Sequence, residues 1–317
     1  MKEKTLYRLD DKLLQILLTD RSTKKNIIWA TDNYSSLGVG YQYNDYITVK
    51  AVSEAHGAAI KPRAEKSRKE QANRIRDKAE VSTPSWICNK QNNLIDNEWF
   101  GREALFNKET EKSWITLTEP IKFPTVTERT WQDYINDVRL EISCGEAPYL
   151  VSRYDSVTGE QIGLSQRIGL LDRKLRVVGE NTLTEEEWLE WAVKSCQNVY
   201  GYDWHGDNVL LARENLFFTF IDYYKAKFDK EPAGDILRKI ANILSWNIWQ
   251  MDGLKFVIPD SCKPEADQMT LFGTDAEKRP CPGCVRNDPY AHTGIYCVIK
   301  DWKTNKNKKF VDLTKGK

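Results

Sequence analysis

The stretch from Leu140 to Leu150, Leu-Glu-Ile-Ser-Cys-Gly-Glu-Ala-Pro-Tyr-Leu, constrains the fold of this chain more than any other. A short β-prone run, Val138 to Ile142, ends in an acidic residue, a Cys-Gly turn follows, and small residues come next. In an open α/β sheet, ligands sit beyond the carboxyl ends of the strands, where glycine permits close approach and a carboxylate accepts hydrogen bonds. The pattern recurs downstream. Asn198-Val-Tyr-Gly-Tyr-Asp203 is a strand ending in a carboxylate, and Gly206-Asp207 opens an amphipathic helix with Val209, Ala212, Leu216 and Phe220 on one face. Asp207 reads as the N-cap of that helix. Repeated strand, acid and helix start is the signature of βα units; a capped core helix after any strand is the plainer alternative.

Composition narrows the class. At 317 residues, the chain is long enough for one large domain or two ordinary ones. With 40% hydrophobic and 29% charged residues it is neither disordered nor membrane-embedded. No apolar run approaches a membrane span, and Met1 to Asp11 is too charged for a secretory signal, so a cytoplasmic protein is expected. The seven cysteines are an odd number, and several sit inside apolar or helical patterns. That argues against a disulfide framework and for a reducing compartment with a metal site. A net charge of +1 is silent about nucleic acid, whereas eleven tryptophans leave room for exposed rings that stack bases.

The remaining chain divides into three parts. Residues 1–78 read as an N-terminal module: a helix over Thr5 to Leu18 with Leu6, Leu9, Leu13, Leu14 and Leu17 on one stripe, a strand Asn26 to Ala30, a loop Ser35 to Gly40 and an extended run Tyr46 to Val52. Its charged helix, Lys61 to Glu80, carries Lys61, Arg63, Lys66, Arg68, Lys69, Arg74, Arg76 and Lys78 against fewer acids. A solvated helix held by i,i+4 pairs and a helix crossing a phosphate backbone both fit. Residues 79–260 form the core, with a hairpin at Ser152 to Gly163, a capped helix from Thr184-Glu-Glu-Glu187 through Cys196, and a helix at Ile236 to Leu244. Residues 261–317 hold a Cys-rich insertion and a final strand or hairpin, with a basic tail from Lys300 to Lys317.

Four core elements, in one order, resemble the restriction-associated, gamma-class adenine-specific DNA methyltransferases. Thr83-Pro84 opens a helix as that family's Phe-Thr-Pro does, with Ser82 in place of the aromatic. Glu141 to Gly145 resembles the Asp-Pro-x-Cys-Gly-x-Gly loop, with Ala147 and Pro148 where a second Gly is preferred. Tyr200-Gly-Tyr-Asp203 resembles Tyr-Gly-x-Asp, and Asn247 to Leu254 resembles Asn-Ile-x-x-Gly-Asp-x-Leu. The resemblance covers roughly residues 79 to 256. It implies a methyltransferase-like, Rossmann-type sheet with helices on both faces. It implies S-adenosylmethionine held by Thr83, Pro84, Glu141, Cys144, Gly145, Asp203 (for the ribose hydroxyls) and Asp252 (for the adenine amino group). The implied activity is methyl transfer to the N6 of adenine in DNA, with a specificity or restriction protein as partner.

The element that would do the chemistry, Asn/Asp-Pro-Pro-Tyr at a strand tip, is missing. In the family its amide or acid orients the target nitrogen and its aromatic stacks on the extruded base. Two substitutes offer themselves: Asp301 and Trp302, at the end of the apolar run from Gly294, and Asn287, Pro289 and Tyr290 after a Cys-rich turn. The alternative reading is a catalytically silent relative that binds nucleic acid or serves as an accessory. Cys281-Pro-Gly-Cys284 is a knuckle that presents two thiolates to one metal, with Cys262 and Cys297 completing a four-thiolate zinc site; His292 could replace either outer ligand. A thioredoxin-like pair is disfavoured, because no helix start evidently follows the turn. Cys144 reads as backbone packing, although His56 or His205 could approach it in space.

Overall fold

The computed structural model describes residues 10–53, 60–78, 80–124, 128–264 and 279–315. In chain order its elements are α1 (Asp11–Leu18), α2 (Val49–Ser53), α3 (Arg68–Lys78), α4 (Ser85–Phe100), the small hairpin β1 (Asn107–Glu109) and β2 (Trp114–Thr116), α5 (Trp131–Asn136) and β3 (Arg139–Glu141). Then come α6 (Leu170–Asn181), α7 (Glu185–Gln197), β4 (Val199–Asp203), α8 (Gly206–Phe228), α9 (Gly234–Asn247), β5 (Ile248–Gln250), α10 (Pro282–Arg286), β6 (Val298–Asp301) and β7 (Lys306–Lys309). The fold is mixed α/β.

Helix starts follow the capping residues. Asp10 accepts from the Lys12 amide at 2.7 Å, and Thr184 Oγ1 accepts from the Glu187 amide at 3.2 Å, so each satisfies a donor the helix cannot. Leu13, Leu14 and Leu17 are buried as their stripe predicts, while Leu6 and Leu9 lie outside the described residues. The expected strand Asn26 to Ala30 forms only isolated bridges, at Asn26 and Ile28, and ends in Ala30 with a left-handed backbone. The Gln250 amide clasps it instead, accepting from the Ile28 N–H at 3.0 Å and donating to the Ile28 carbonyl at 2.9 Å.

The central sheet is parallel, in the order β3-β4-β5, with Arg139 opposite Val199, Gly201 opposite Ile248, and Asp203 opposite Gln250. Alternation along the strands separates two apolar clusters. Val199 and Ile248 join the large cluster formed with α1 and α6 to α9; it runs from Leu13 to Ile248, across position 78/79, so the N-terminal segment shares this core. Tyr202 and Trp249 point the other way, to Met251, Ile258, Cys297, Ile299 and Phe310.

The second face corrects the expected architecture. Helices cover one face of a sheet of three short strands; loops and a hairpin cover the other. The run Gly294 to Trp302 does not complete the sheet. Its strand β6 pairs antiparallel with β7 alone, and the chain reaches it through the antiparallel bridge Val257–Tyr296. A central strand of a parallel sheet must bury both faces. Lys300 and Asp301 forbid that, and only Ile299 of this strand is buried.

Candidate functional site

At the carboxyl ends of β3 and β4 lies a cleft of about 450 Å³. Its walls come from the turn Glu141 to Glu146 with Pro148 and Tyr149, from Asp203, Trp204, His205 and Asn208 at the mouth of α8, and from Arg63 and Glu80 to Thr83. Thr83, Glu141, Cys144, Gly145 and Asp203, spread over three segments of the sequence, therefore meet at one place. Pro84 precedes the first turn of α4 and is not part of the wall. The Thr83 segment is pinned by Ser156 Oγ donating to the Thr83 carbonyl at 2.8 Å and by the Ser85 amide donating to Asp155 at 2.7 Å.

Carboxylates dominate the cleft, and the backbone occupies much of their acceptor capacity. Asp203 accepts from the Gly145 amide at 3.0 Å on one oxygen, and from the His205 amide at 2.9 Å and Asn208 Nδ2 at 3.2 Å on the other. A carboxylate has about four acceptor positions, so roughly one remains for a ligand. Glu141 accepts from the Tyr149 and Leu150 amides at 3.4 and 3.1 Å. Burial pushes its pKa up to about 8, against the pull of those amides. Burial likewise raises Glu146, whose oxygens accept from the Arg63 amide at 2.5 Å and the Tyr154 hydroxyl at 2.7 Å. Ser143, Gly145 and Ala147 all hold positive φ, at 48°, 53° and 63°. Ala147, standing where the resembled loop has glycine, does adopt the left-handed conformation, at a cost on the order of 1–2 kcal/mol.

Other polar expectations are corrected. Asp207 is not the N-cap of α8; His205 holds that place. Asp207 is fully buried instead, accepting from the Tyr34 hydroxyl at 2.7 Å and from Arg74, with Lys66 Nζ at 3.5 Å. Burial would raise its pKa, but Arg74 and Lys66 hold it well below the usual carboxylate range. Lys66 and Arg74 are thus buried against Asp207, and the largely buried Arg63 turns its guanidinium to Glu80 at the cleft wall. The charges of Lys66 and Arg74 clamp α3 and its approach onto the start of α8. Cys144 is buried, with its thiol pushed up first by burial and then by Glu141 and Asp203. His205 lines the same cleft, whereas His56 lies outside the described residues.

Asp252 does not line the cleft. Its Oδ1 accepts from the Leu254 and Lys255 amides at 3.0 and 3.1 Å, and its Oδ2 pairs with Lys255 Nζ at 3.3 Å, as a turn residue does. Asp301 and Trp302 line a separate cavity of about 760 Å³ beside Leu140, Tyr200 and Trp249. Asp301 caps its own hairpin, accepting from the Lys303 and Thr304 amides and from Lys308 Nζ at 2.6 Å, and Trp302 Nε1 donates to Asn247 at 2.7 Å. Neither residue faces the cleft, because β6 lies outside the parallel sheet. Asn287 closes α10 in the left-handed conformation, the Pro289 carbonyl accepts from the Tyr296 hydroxyl, and the Tyr290 hydroxyl donates to Thr314. This trio is spent on local structure.

The cysteine knuckle forms, with one ligand exchanged. Cys262, Cys281, Cys284 and His292 place their ligand atoms within 4.8 Å of one another, and the group could bind a zinc ion. Cys297 is excluded: it is fully buried under the sheet, its thiol directed at the Gln250 carbonyl at 3.4 Å. A short helix does follow the turn, with Cys281 as its N-cap. Burial opposes ionisation of Cys281, but the Thr293 hydrogen bonds and His292 bring it down to about 5. Cys262 is driven up to about 12 by burial and by the two neighbouring thiols. Most of Lys263 to Lys278 lies outside the described residues.

Sequence reasoning did not assign Glu80, Glu146, Trp204 or Tyr149 to the cleft. Trp204 could have been suspected from its place beside Asp203; the others depend on loop paths that carry no local signal. No family model, curated protein or solved structure matches this chain. No helix among the described residues is long and apolar enough to cross a membrane.

Proposed function

We propose that the cleft binds S-adenosylmethionine and that the protein works with adenine-specific DNA methylation of the restriction-associated type, on a reduced, Rossmann-like sheet. The observation that carries this reading is the convergence of Thr83, Glu141, Cys144, Gly145 and Asp203 on one cavity at the ends of parallel strands. Its electrostatics agree. Glu80 and Asp203 face it beside the single guanidinium of Arg63, while Glu141 and Glu146, both raised by burial, add polar carboxyl groups with less negative charge. Such a lining favours a ligand carrying a sulfonium and an ammonium over one carrying phosphates. The volume lies in the range of small-ligand sites.

Within this reading the catalytically silent form is favoured for the isolated chain. Neither Asp301 with Trp302 nor Asn287 with Tyr290 reaches the cleft, so no side chain of either set can orient an adenine amino group at the methyl. Methyl transfer would then need residues from a partner protein.

Calorimetric titration with S-adenosylmethionine tests the proposal. Saturable binding is expected, with weaker binding of S-adenosylhomocysteine, which lacks the sulfonium charge, and loss of binding in Asp203→Ala. Absence of binding heat from folded protein ends the reading. Labelled methyl transfer to adenine-containing DNA by the chain alone would overturn its silent form.

A further inference from the structure

The knuckle contains more than a sequence spacing. Ligand-to-ligand distances fix what could sit among its four atoms. His292 Nδ1 lies 3.6 Å from Cys262 Sγ, 3.6 Å from Cys281 Sγ and 3.7 Å from Cys284 Sγ. A tetrahedron built on Zn–S of about 2.3 Å and Zn–N of about 2.0–2.1 Å has sulfur-to-nitrogen edges of about 3.5–3.6 Å. One imidazole nitrogen nearly equidistant from three sulfurs is the arrangement a single tetrahedral ion imposes. Ordinary thiol–imidazole hydrogen bonding does not require it.

Packing around the four ligands is equally close. A Cβ on Gly283 would fall 2.6 Å from His292 Nδ1, and one on Gly294 would fall 3.0 Å from Cys262 Sγ. Both glycines leave room for ligands to approach. The Thr293 amide donates to Cys281 Sγ at 3.3 Å, as amides around bound thiolates do. Three thiolates, one neutral imidazole and a divalent cation sum to one negative charge.

We propose that Cys262, Cys281, Cys284 and the Nδ1 of His292 hold one structural zinc ion. Four protein ligands leave no open position for a substrate, so the ion is structural. It joins the segment after Ile258 to the segment around Ile295, which already share the bond from the Ile258 amide to the Ile295 carbonyl at 2.8 Å. It thereby staples the loops that cover the outer face of the sheet. The proposal is independent of what the cleft binds.

Elemental analysis of protein purified without chelator should give one zinc per chain. Cobalt added after chelation should give the intense visible bands and the sulfur-to-cobalt charge-transfer band of a tetrahedral thiolate site. His292→Ala and Cys281→Ser should lose the metal, His292→Cys should keep it with a shifted cobalt spectrum, and Cys297→Ala should keep it unchanged. Under half an equivalent of zinc together with absent cobalt bands would overturn the proposal. So would metal retained by folded His292→Ala and lost from folded Cys297→Ala.

Discussion

The cleft and the knuckle are built in opposite ways. The cleft gathers residues from positions 63 to 208, and its acids are held by backbone amides and, for Glu80, by the buried Arg74. The knuckle draws its ligands from 262 to 292, and two of its four donors, Cys281 and Cys284, come from one turn and one short helix. One site is a product of topology and the other of local spacing. The contrast teaches that they should fail separately: damage to buried charge should empty the cleft and spare the metal, and chelation should do the reverse.

The largest separation is expected from Asp207→Ala. Removing the carboxylate leaves Lys66 buried without its ion-pair partner and Arg74 with Glu80 alone, which costs about 3–5 kcal/mol. Denaturant unfolding should show that loss, with zinc content per folded chain unchanged; an unaltered midpoint would refute the clamp. Next comes chelation of the wild-type chain. A structural ion at about a thousandfold its Kd contributes about 4 kcal/mol, so the melting temperature should fall with EDTA and recover with zinc. Binding of S-adenosylmethionine below that melt should persist. If chelation abolishes it, the two regions are coupled.

Glu141 provides a pH test confined to the cleft. Its folded pKa is raised to about 8 from 4.5, so between these values the folded chain holds a proton that the unfolded chain has released. The associated stability is full below about pH 4.5 and is lost as pH rises through about 8. Glu141→Gln should flatten that decline, which is worth about 2–4 kcal/mol after discounting the full shift. Parallel pH profiles for variant and wild type would show that this carboxyl is not the group responsible. The smallest effect is Gly145→Ala. Nothing lies within 4 Å of the added carbon, so the cost is the left-handed backbone alone, about 1–2 kcal/mol. Weaker cofactor binding with full zinc occupancy is expected; loss of metal would break the separation.

The fourth ligand shows where local reading ends. Cys297 and His292 both follow Cys284 closely, and sequence distance ranks them poorly. The backbone direction near Tyr296 decides, turning Cys297 under the sheet and leaving His292 on the knuckle. Asp252 is similar. An acid before glycine fits a cofactor contact or a turn, and only the path of the chain into Phe256, whose amide donates back to the Asp252 carbonyl at 2.8 Å, selects the turn.

By itself the sequence determined the helix stripes, the Thr184 cap, the two acid-tipped strands β3 and β4, and the paired thiols, because side-chain periodicity and turn chemistry are written within a few residues. Only the tertiary structure decided that Asp207 pairs with Arg74, that β6 folds into a hairpin on the sheet's outer face, and that Glu80 and Glu146 join the cleft. Those outcomes depend on which distant polar groups are buried together. A buried charge takes whatever partner the packing brings, since leaving it unpaired costs more than any local preference.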